Sequence, residues 1–329
     1  TPLDSPLLCF SRCVHQKFVS KGIMLYFPTD VKATTFRFVN KCDYTVWPGI
    51  LSGASSAPLE STGFELPQGG TQTFQAPSGW SGRFWGRTGC NFDGSGQGSC
   101  STGDCGSGRV ECGGSGAAPP ATLAEFTLNG SGGQDFYDVS LVDGYNLPMI
   151  VEASGGSGGC GSTGCLVDLN QRCPPELQAE GGGACKSACE AFGSPEYCCR
   201  GAYGTPDACK PTAYSELFKS ACPKAYSYAY DDASSTFTCS GADYTITFCQ
   251  SSPRSVVSTG STVGGATVEA GARTGSSSRS GSRGAILADG SWLANMATGN
   301  YSNTRQPSFG LQFGSMLLLL VITSILKLQ

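Results

Sequence analysis

The sequence is poor in histidine and in charged residues. Its 329 residues include a single histidine, His15, and only 14% are Asp, Glu, Lys or Arg. A Ser/His/Asp triad, a Cys/His dyad or a histidine-ligated zinc site needs an imidazole inside the folded body. Because His15 lies outside the cysteine-rich part of the chain, any catalysis would depend on carboxyl groups, and we expect neither a metal nor another cofactor.

Positive charge is also scarce in the central part of the chain. Residues 34–249 carry 11 Lys and Arg against 21 Asp and Glu, a net charge of −10. Such a surface repels phosphate backbones, which argues against nucleic acid as a partner. A neutral polysaccharide or a basic partner fits this charge better.

Cysteine, by contrast, is abundant. Of the 18 cysteines, 16 lie between Cys42 and Cys249, a density typical of a secreted protein stabilised by disulfides. The other two, Cys9 and Cys13, lie in residues 1–33, which have no starting methionine and no continuous apolar leader. We predict that this atypical N-terminal segment is not part of the mature fold.

The pattern from residue 34 onward is mainly that of β-strands. Apolar residues alternate in short runs such as Phe36 and Phe38, 123–128, 136–141 and 244–248, which predicts antiparallel strands of a β-sandwich or flattened barrel. Between Cys160 and Cys239 the cysteines become denser and two helices are predicted. One is capped by Thr212 and ends before Pro223; the other spans residues 184–192 and would place Cys185 and Cys189 on one face.

The C-terminal part has a different composition. Residues 250–307 are rich in Ser and Gly, which predicts a flexible tether. Residues 308–329 end in the apolar stretch 316–326, and the polar spacer before it favours a GPI-attachment signal over the competing interpretation, a marginal transmembrane helix. The protein would then be held at the outer face of the plasma membrane or in the cell wall.

One motif carries a family resemblance. The segment Gly96-Gln-Gly-Ser-Cys-Ser-Thr-Gly-Asp-Cys-Gly-Ser-Gly-Arg-Val-Glu-Cys112 matches, at every fixed position, the signature of thaumatin-like proteins, the pathogenesis-related family 5 of plants. The similarity extends over residues 34–249, for example through Phe84-Trp-Gly-Arg-Thr-Gly-Cys90 and Glu196-Tyr-Cys-Cys199. It implies a monomeric, extracellular, mainly β protein: a flattened antiparallel β-sandwich with a disulfide-rich satellite domain of loops and short helices.

The cysteine spacing alone does not fix the disulfide connectivity. The resemblance implies eight bridges: Cys42 with Cys249, Cys90 with Cys100, Cys105 with Cys112, Cys160 with Cys239, Cys165 with Cys222, Cys173 with Cys185, Cys189 with Cys198, and Cys199 with Cys209.

Acidic residues on two predicted strands are the candidates for chemistry. Alternation places Glu125 and Asp138 opposite the more apolar rows of their strands, and Asp143 follows in an Asp-Gly turn. Glycoside hydrolysis needs one protonated carboxyl and one ionised carboxylate, for which Glu125 is the candidate acid and Asp143 the candidate base or nucleophile.

The resemblance implies an acidic cleft between the sandwich and the satellite domain. Its polar lining would be Arg87, Glu125, Asp138, Asp143 and Asp231, and aromatic residues beside these positions would stack on sugar rings: Phe92, Phe126 and Tyr145.

The implied function is plant defence against fungi through binding of β-1,3-glucan, and whether weak endo-β-1,3-glucanase activity accompanies binding stays open. Two alternatives also stay open: a non-catalytic module that binds cell wall or callose at the plasma membrane, and an inhibitor of fungal hydrolases or membrane-perturbing protein. Asn129-Gly-Ser131 is a predicted N-glycosylation site, whereas the sequon at Asn300 falls in the candidate anchor region.

Overall fold

The computed structural model describes residues 33–250 and the backbone of residues 15–20 and 23–28. The described residues belong to one compact unit. Strands β1 (His15–Ser20) and β2 (Ile23–Pro28) pair as an antiparallel hairpin. The predictions for the Ser/Gly-rich tether beyond residue 250, for the apolar segment 308–329 and for Asn300 lie outside the described residues.

Two five-stranded sheets form the body. The first has the order β13-β10-β9-β6-β4, with bounds β4 (Trp47–Ser52), β6 (Ser81–Arg87), β9 (Leu123–Thr127), β10 (Asp135–Ser140) and β13 (Phe237–Cys239). The second has the order β12-β11-β14-β3-β5, with bounds β3 (Thr34–Asn40), β5 (Thr71–Ala76), β11 (Met149–Ser154), β12 (Thr163–Cys165) and β14 (Asp243–Phe248). A short hairpin joins β7 (Asn91–Phe92) and β8 (Gly98–Ser99).

The predicted mainly β sandwich is confirmed, with one parallel pair. All paired strands of both sheets are antiparallel except β3 and β14, the first and last strands of the sandwich, which run side by side in the same direction.

Aromatic side chains fill the space between the sheets. The ring of Phe36 on β3 lies 4.8 Å, centroid to centroid, from both Phe84 on β6 and Phe126 on β9. Because side chains alternate along a strand, Phe126 faces this core while its neighbour Glu125 faces the other side of the sheet. That outer side is covered as well, since β9 and β10 are buried on both faces along almost their whole length.

Part of the cover is the satellite region, which contains three short helices: α1 (Ala188–Phe192), α2 (Ala213–Ala221) and α3 (Asp232–Ser235). Helix α2 confirms the prediction, because Thr212 caps it and forms a capping box with Ser215. Single 3-10 turns lie at Ser131–Gly133, Leu169–Arg172, Pro175–Leu177 and Gly201–Tyr203.

The other predicted helix is shorter than expected. The prediction began it at residue 184, but Ser187 caps α1 and the helix starts at Ala188. Cys185 is instead extended, since its backbone exchanges hydrogen bonds with Tyr145 at 2.7 and 2.8 Å. Cys185 and Cys189 therefore do not share a helical face, and that prediction was wrong.

The structure contains the same eight disulfide pairings that the resemblance implies. Bridges are not the only support of the satellite region, because its Leu169, Leu177 and Phe218 are buried in continuity with the sandwich core. No helix within the described residues is long and apolar enough to span a membrane.

Candidate functional site

A row of three charged side chains crosses the outer face of the first sheet. The strand register places Arg83 of β6 opposite Glu125 of β9, and Glu125 opposite Asp138 of β10. The Arg83 Nη1 and Glu125 Oε1 atoms are 4.0 Å apart. Glu125 is 3% exposed and Asp138 is 2% exposed. Two buried acids therefore lie side by side on neighbouring strands. Arg83 lies next to Glu125, at the end of the row away from Asp138.

Burial disfavours the ionised forms of both acids. It raises the pKa of Glu125 to about 7, an effect that the Arg83 charge opposes and the Asp143 charge reinforces. Burial also raises the pKa of Asp138 well above its usual range, with further contributions from the charges of Glu125 and Asp232. Glu125 Oε1 and Asp138 Oδ2 are buried without a hydrogen-bond partner. Both acids thus favour the protonated form at mildly acidic pH and have unused hydrogen-bonding capacity.

Asp143 lies beside this row, in the turn that follows β10. Burial raises its pKa to about 6, against the opposing charge of Arg83. The turn depends on Gly144, whose φ is +85° and where a Cβ would lie 2.7 Å from the carbonyl oxygen of Cys185. Asp143 is less buried than Glu125 and Asp138, so it is the most accessible acid of the three.

A fourth acid, Glu190, was missed by the sequence analysis. It lies on α1, and burial raises its pKa to about 7, with Lys186 lowering and Asp143 raising it. Glu190 Oε2 is buried without a hydrogen-bond partner. A helix of five residues carries no periodicity that would indicate which face meets the sheet. We call Glu125, Asp138, Asp143 and Glu190 the carboxyl cluster.

Arg87 does not belong to the carboxyl cluster, although the motif assigned it there. Its side chain is fully buried and donates hydrogen bonds to backbone carbonyls, among them Trp47 O at 2.9 Å and Val110 O at 2.6 Å. The guanidinium also lies over the ring of Phe92, 5.8 Å from its centroid. Arg87 fastens the cysteine-rich loop to the sheet, and Arg83 is the arginine beside the acids.

Asp231 is likewise engaged elsewhere. Its carboxylate pairs with Lys219, 2.8 Å from Nζ, and accepts hydrogen bonds from the backbone and hydroxyl of Ser227. The adjacent Asp232 is the residue whose charge raises the pKa of Asp138, and it accepts a hydrogen bond from the Tyr226 hydroxyl at 2.9 Å.

Two of the three predicted sugar-stacking aromatics are too buried for that role. Phe126 is 1% exposed and faces the core, because it alternates with Glu125 along β9. Tyr145 is fully buried and donates its hydroxyl hydrogen to Val167 O at 3.0 Å. Phe92 packs beneath Arg87 and beside Trp47, with a ring-centroid distance of 6.1 Å.

Within the part of the chain that the structure describes, no group of three or more His, Cys, Asp or Glu side chains is arranged to hold a metal ion. The acids of the carboxyl cluster can transfer protons and form hydrogen bonds.

Comparison with known proteins identifies the family. The model of the thaumatin family matches residues 40–250, and the chain belongs to that family. It is 68% identical over 228 residues to thaumatin-like protein 1 of Arabidopsis thaliana, a similarity that covers 67% of this chain and 87% of that protein.

Two further similarities are to one curated relative and one solved structure. The chain is 54% identical over 222 residues to a glucan endo-1,3-beta-glucosidase of Prunus avium, covering 66% of this chain and 91% of that protein. The solved structure of a thaumatin-like xylanase inhibitor aligns with 25% identity and a TM-score of 0.37, over 65% of this chain and 99% of that one.

Proposed function

We propose that this protein is an extracellular plant defence protein whose carboxyl cluster binds β-1,3-glucan and cleaves it slowly. The proposal is carried by two neighbouring acids that differ in burial. Glu125 is buried and its pKa is about 7, whereas Asp143 is more accessible and its pKa is about 6. The name of the Prunus avium relative supports the substrate. The eight disulfides support an oxidising, extracellular compartment.

The two acids divide the roles that glycoside hydrolysis needs. At mildly acidic pH Glu125 keeps its proton and donates it to the glycosidic oxygen as the bond to the anomeric carbon breaks. Asp143 ionises first, because its pKa is lower, and acts as base toward water or as nucleophile toward that carbon. Arg83 favours ionised Asp143, since its charge lowers the pKa of that acid.

Asp138 has a positioning role in this proposal. It faces Glu125 across the strand pair, one strand further from Arg83. Two adjacent carboxyl groups resist double ionisation, so Asp138 helps to keep a proton on the pair.

We also propose a glycan at Asn129 and a GPI anchor at the C-terminus. Asn129 is exposed just after β9, with a left-handed φ of +50°, and this surface position supports its glycosylation.

Attachment to the plasma membrane through residues 308–329 rests on the sequence alone. We expect a phosphatidylinositol-specific phospholipase to release the protein from membranes, and retention after treatment would contradict a GPI anchor.

Two assays on the same purified protein test the proposed function: release of reducing sugar from soluble β-1,3-glucan, and co-sedimentation with the insoluble polymer. We expect turnover in the wild type, loss of turnover in Glu125→Gln, and no loss in Glu216→Gln, a matched change at an exposed position of α2.

The outcomes separate the two parts of the proposal. Binding without turnover in the wild type would contradict catalysis and keep the glucan-binding function. Absence of both would contradict the proposed function, and binding to a fungal hydrolase would then support the inhibitor alternative.

A further inference from the structure

A pocket of about 550 Å³ lies apart from the carboxyl cluster. Its wall includes Tyr44, Trp47, Thr88 and Asn170, and it contains none of the four acids. Thr88 follows Arg83 by five positions on and just beyond β6, which corresponds to roughly 16 Å along a strand. The volume falls within the range of about 300–1,000 Å³ found for small-molecule sites.

One wall of this pocket is aromatic and firmly supported. Tyr44 is 42% exposed. Trp47 is half-buried, and Phe92, which itself lies under Arg87, packs against its ring. The faces of such rings carry negative electrostatic potential and attract polarised C–H groups. The wall is therefore suited to stacking by a flat ligand with C–H groups on one face.

Asn170 supplies a polar side chain to the pocket wall, and one of its atoms lacks a hydrogen-bond partner. Its Nδ2 donates to Asn146 O at 2.9 Å and to Gly183 O at 3.2 Å, which fixes the orientation of the amide. Its Oδ1 is buried and has no hydrogen-bond partner. A buried acceptor without a donor is unfavourable, so a small shift of the Asn170 side chain that brings Oδ1 within reach of a ligand hydroxyl would be stabilising.

The lining of the pocket offers no ion-pair partner to a charged ligand. None of its described lining residues carries a charged side chain. The nearby carboxylate of Asp168 already accepts hydrogen bonds from the Asn170 backbone at 3.1 Å and from Gln171 Nε2 at 3.0 Å. A neutral ligand with one C–H face and several hydroxyl groups matches the wall and the acceptor together, and a pyranose ring has this chemistry.

We infer that this pocket binds one neutral sugar unit, which stacks on Tyr44 and Trp47 and donates a hydroxyl hydrogen to Asn170 Oδ1. This second saccharide site does not depend on the carboxyl cluster and needs no catalysis there.

The test titrates the purified protein with a soluble β-1,3-linked gluco-oligosaccharide and with a xylo-oligosaccharide. Saturation-transfer NMR reports sugar contact. Among the described tryptophans Trp80 and Trp85 are buried whereas Trp47 is not, so the part of the fluorescence change that Trp47→Phe removes reports the pocket, with Trp292 unchanged in that variant. We expect Tyr44→Ala to weaken binding at this site about tenfold. Tyr44→Phe keeps the ring and should bind as the wild type does.

Two controls keep the inference falsifiable. Tyr203→Ala removes a comparably exposed aromatic, 36% exposed, outside the pocket, and should leave binding unchanged. Glu125→Gln should leave the fluorescence change intact even if the carboxyl cluster fails to bind glucan. The inference is overturned if neither sugar changes the fluorescence, if Tyr44→Ala binds as the wild type does, or if Glu125→Gln alone abolishes all sugar contact.

Discussion

Two arginines four positions apart on β6 show how burial assigns a role to a side chain. Arg83 lies beside Glu125 and keeps part of its surface in solvent, whereas Arg87 is enclosed by carbonyl groups. Burial lowers the pKa of Arg87 to about 10, with the charges of Asp104 and Glu111 opposing that shift. Arg83 therefore affects the charge of the carboxyl cluster, and Arg87 stabilises the fold.

This difference predicts that the same substitution has different effects at the two arginines. Arg87→Gln leaves several buried carbonyl groups without a hydrogen-bond donor and should lower the free energy of unfolding by about 3 kcal/mol. Arg83→Gln should change it by less than about 1 kcal/mol, but should raise the pKa of Glu125 and Asp143 because their cation is gone. Denaturant unfolding and carboxyl-carbon NMR titration measure the two effects. Equal loss of stability in both variants would contradict the assignment.

Glu125 makes stability depend on pH in a defined direction. Its pKa is about 7 in the folded protein against an ordinary value of 4.5, so the unfolded chain releases this proton first. The group favours the folded state most below about pH 4.5, and that contribution is lost as pH rises toward 7, by on the order of 3 kcal/mol. Raised pKa values at Asp138, Asp143 and Glu190 act in the same direction.

We therefore expect Glu125→Gln to flatten the decline in stability between mildly acidic and neutral pH. Thermal unfolding across that range measures the effect, with the exposed Glu216→Gln as the control that should retain the wild-type slope. An unchanged slope in Glu125→Gln would show that its carboxyl group is not held in a protonated, buried state.

At the scale of elements, local patterns predicted what a single strand or helix determines. Period-two alternation correctly separated Glu125 from the apolar row of β9, and Thr212 with Pro223 correctly bounded α2. The same alternation indicates that Phe126 faces the core. The prediction that Phe126 stacks on sugar relied on its position next to Glu125 in the sequence, although adjacent residues of a strand face opposite sides of the sheet. The pairing of Arg83 with Glu125 depends on the register between β6 and β9, which neither strand encodes alone.

The turn that carries Asp143 gives a prediction at this scale. Gly144→Ala combines a left-handed φ of +85° with a Cβ position 2.7 Å from Cys185 O, so we expect a loss of more than about 2 kcal/mol. Gly132→Ala is the matched control, because its φ is +68° but nothing lies within 4 Å of the added carbon; strain alone should cost about 1 kcal/mol. Equal losses, measured by denaturant unfolding, would contradict close packing at the turn.

At the scale of the whole molecule, the resemblance supplied what spacing could not. The eight pairings were implied by the family motif, whereas the position of α1, the covering of the outer sheet face and the role of Glu190 depend on contacts between distant segments. Burial of the acids is a tertiary property, and their raised pKa values follow from it.

The disulfide that joins the two ends of the sandwich should stabilise it most. Cys42 and Cys249 are separated by 207 residues, against 10 for Cys90 and Cys100. Restriction of the unfolded chain predicts losses of about 5 and about 3 kcal/mol when each pair is replaced by serine. Thermal unfolding of the two double variants measures the order, and a larger loss for the short loop would contradict this account.

The most direct measurement of the central claim is the rate of reducing-sugar release from soluble β-1,3-glucan as a function of pH. With Asp143 ionising at about 6 and Glu125 at about 7, the rate should be highest between these values and fall on both sides. Glu125→Gln should remove the activity. A rate that is flat across this range, or that Glu125→Gln leaves intact, would contradict the carboxyl cluster as the site of hydrolysis.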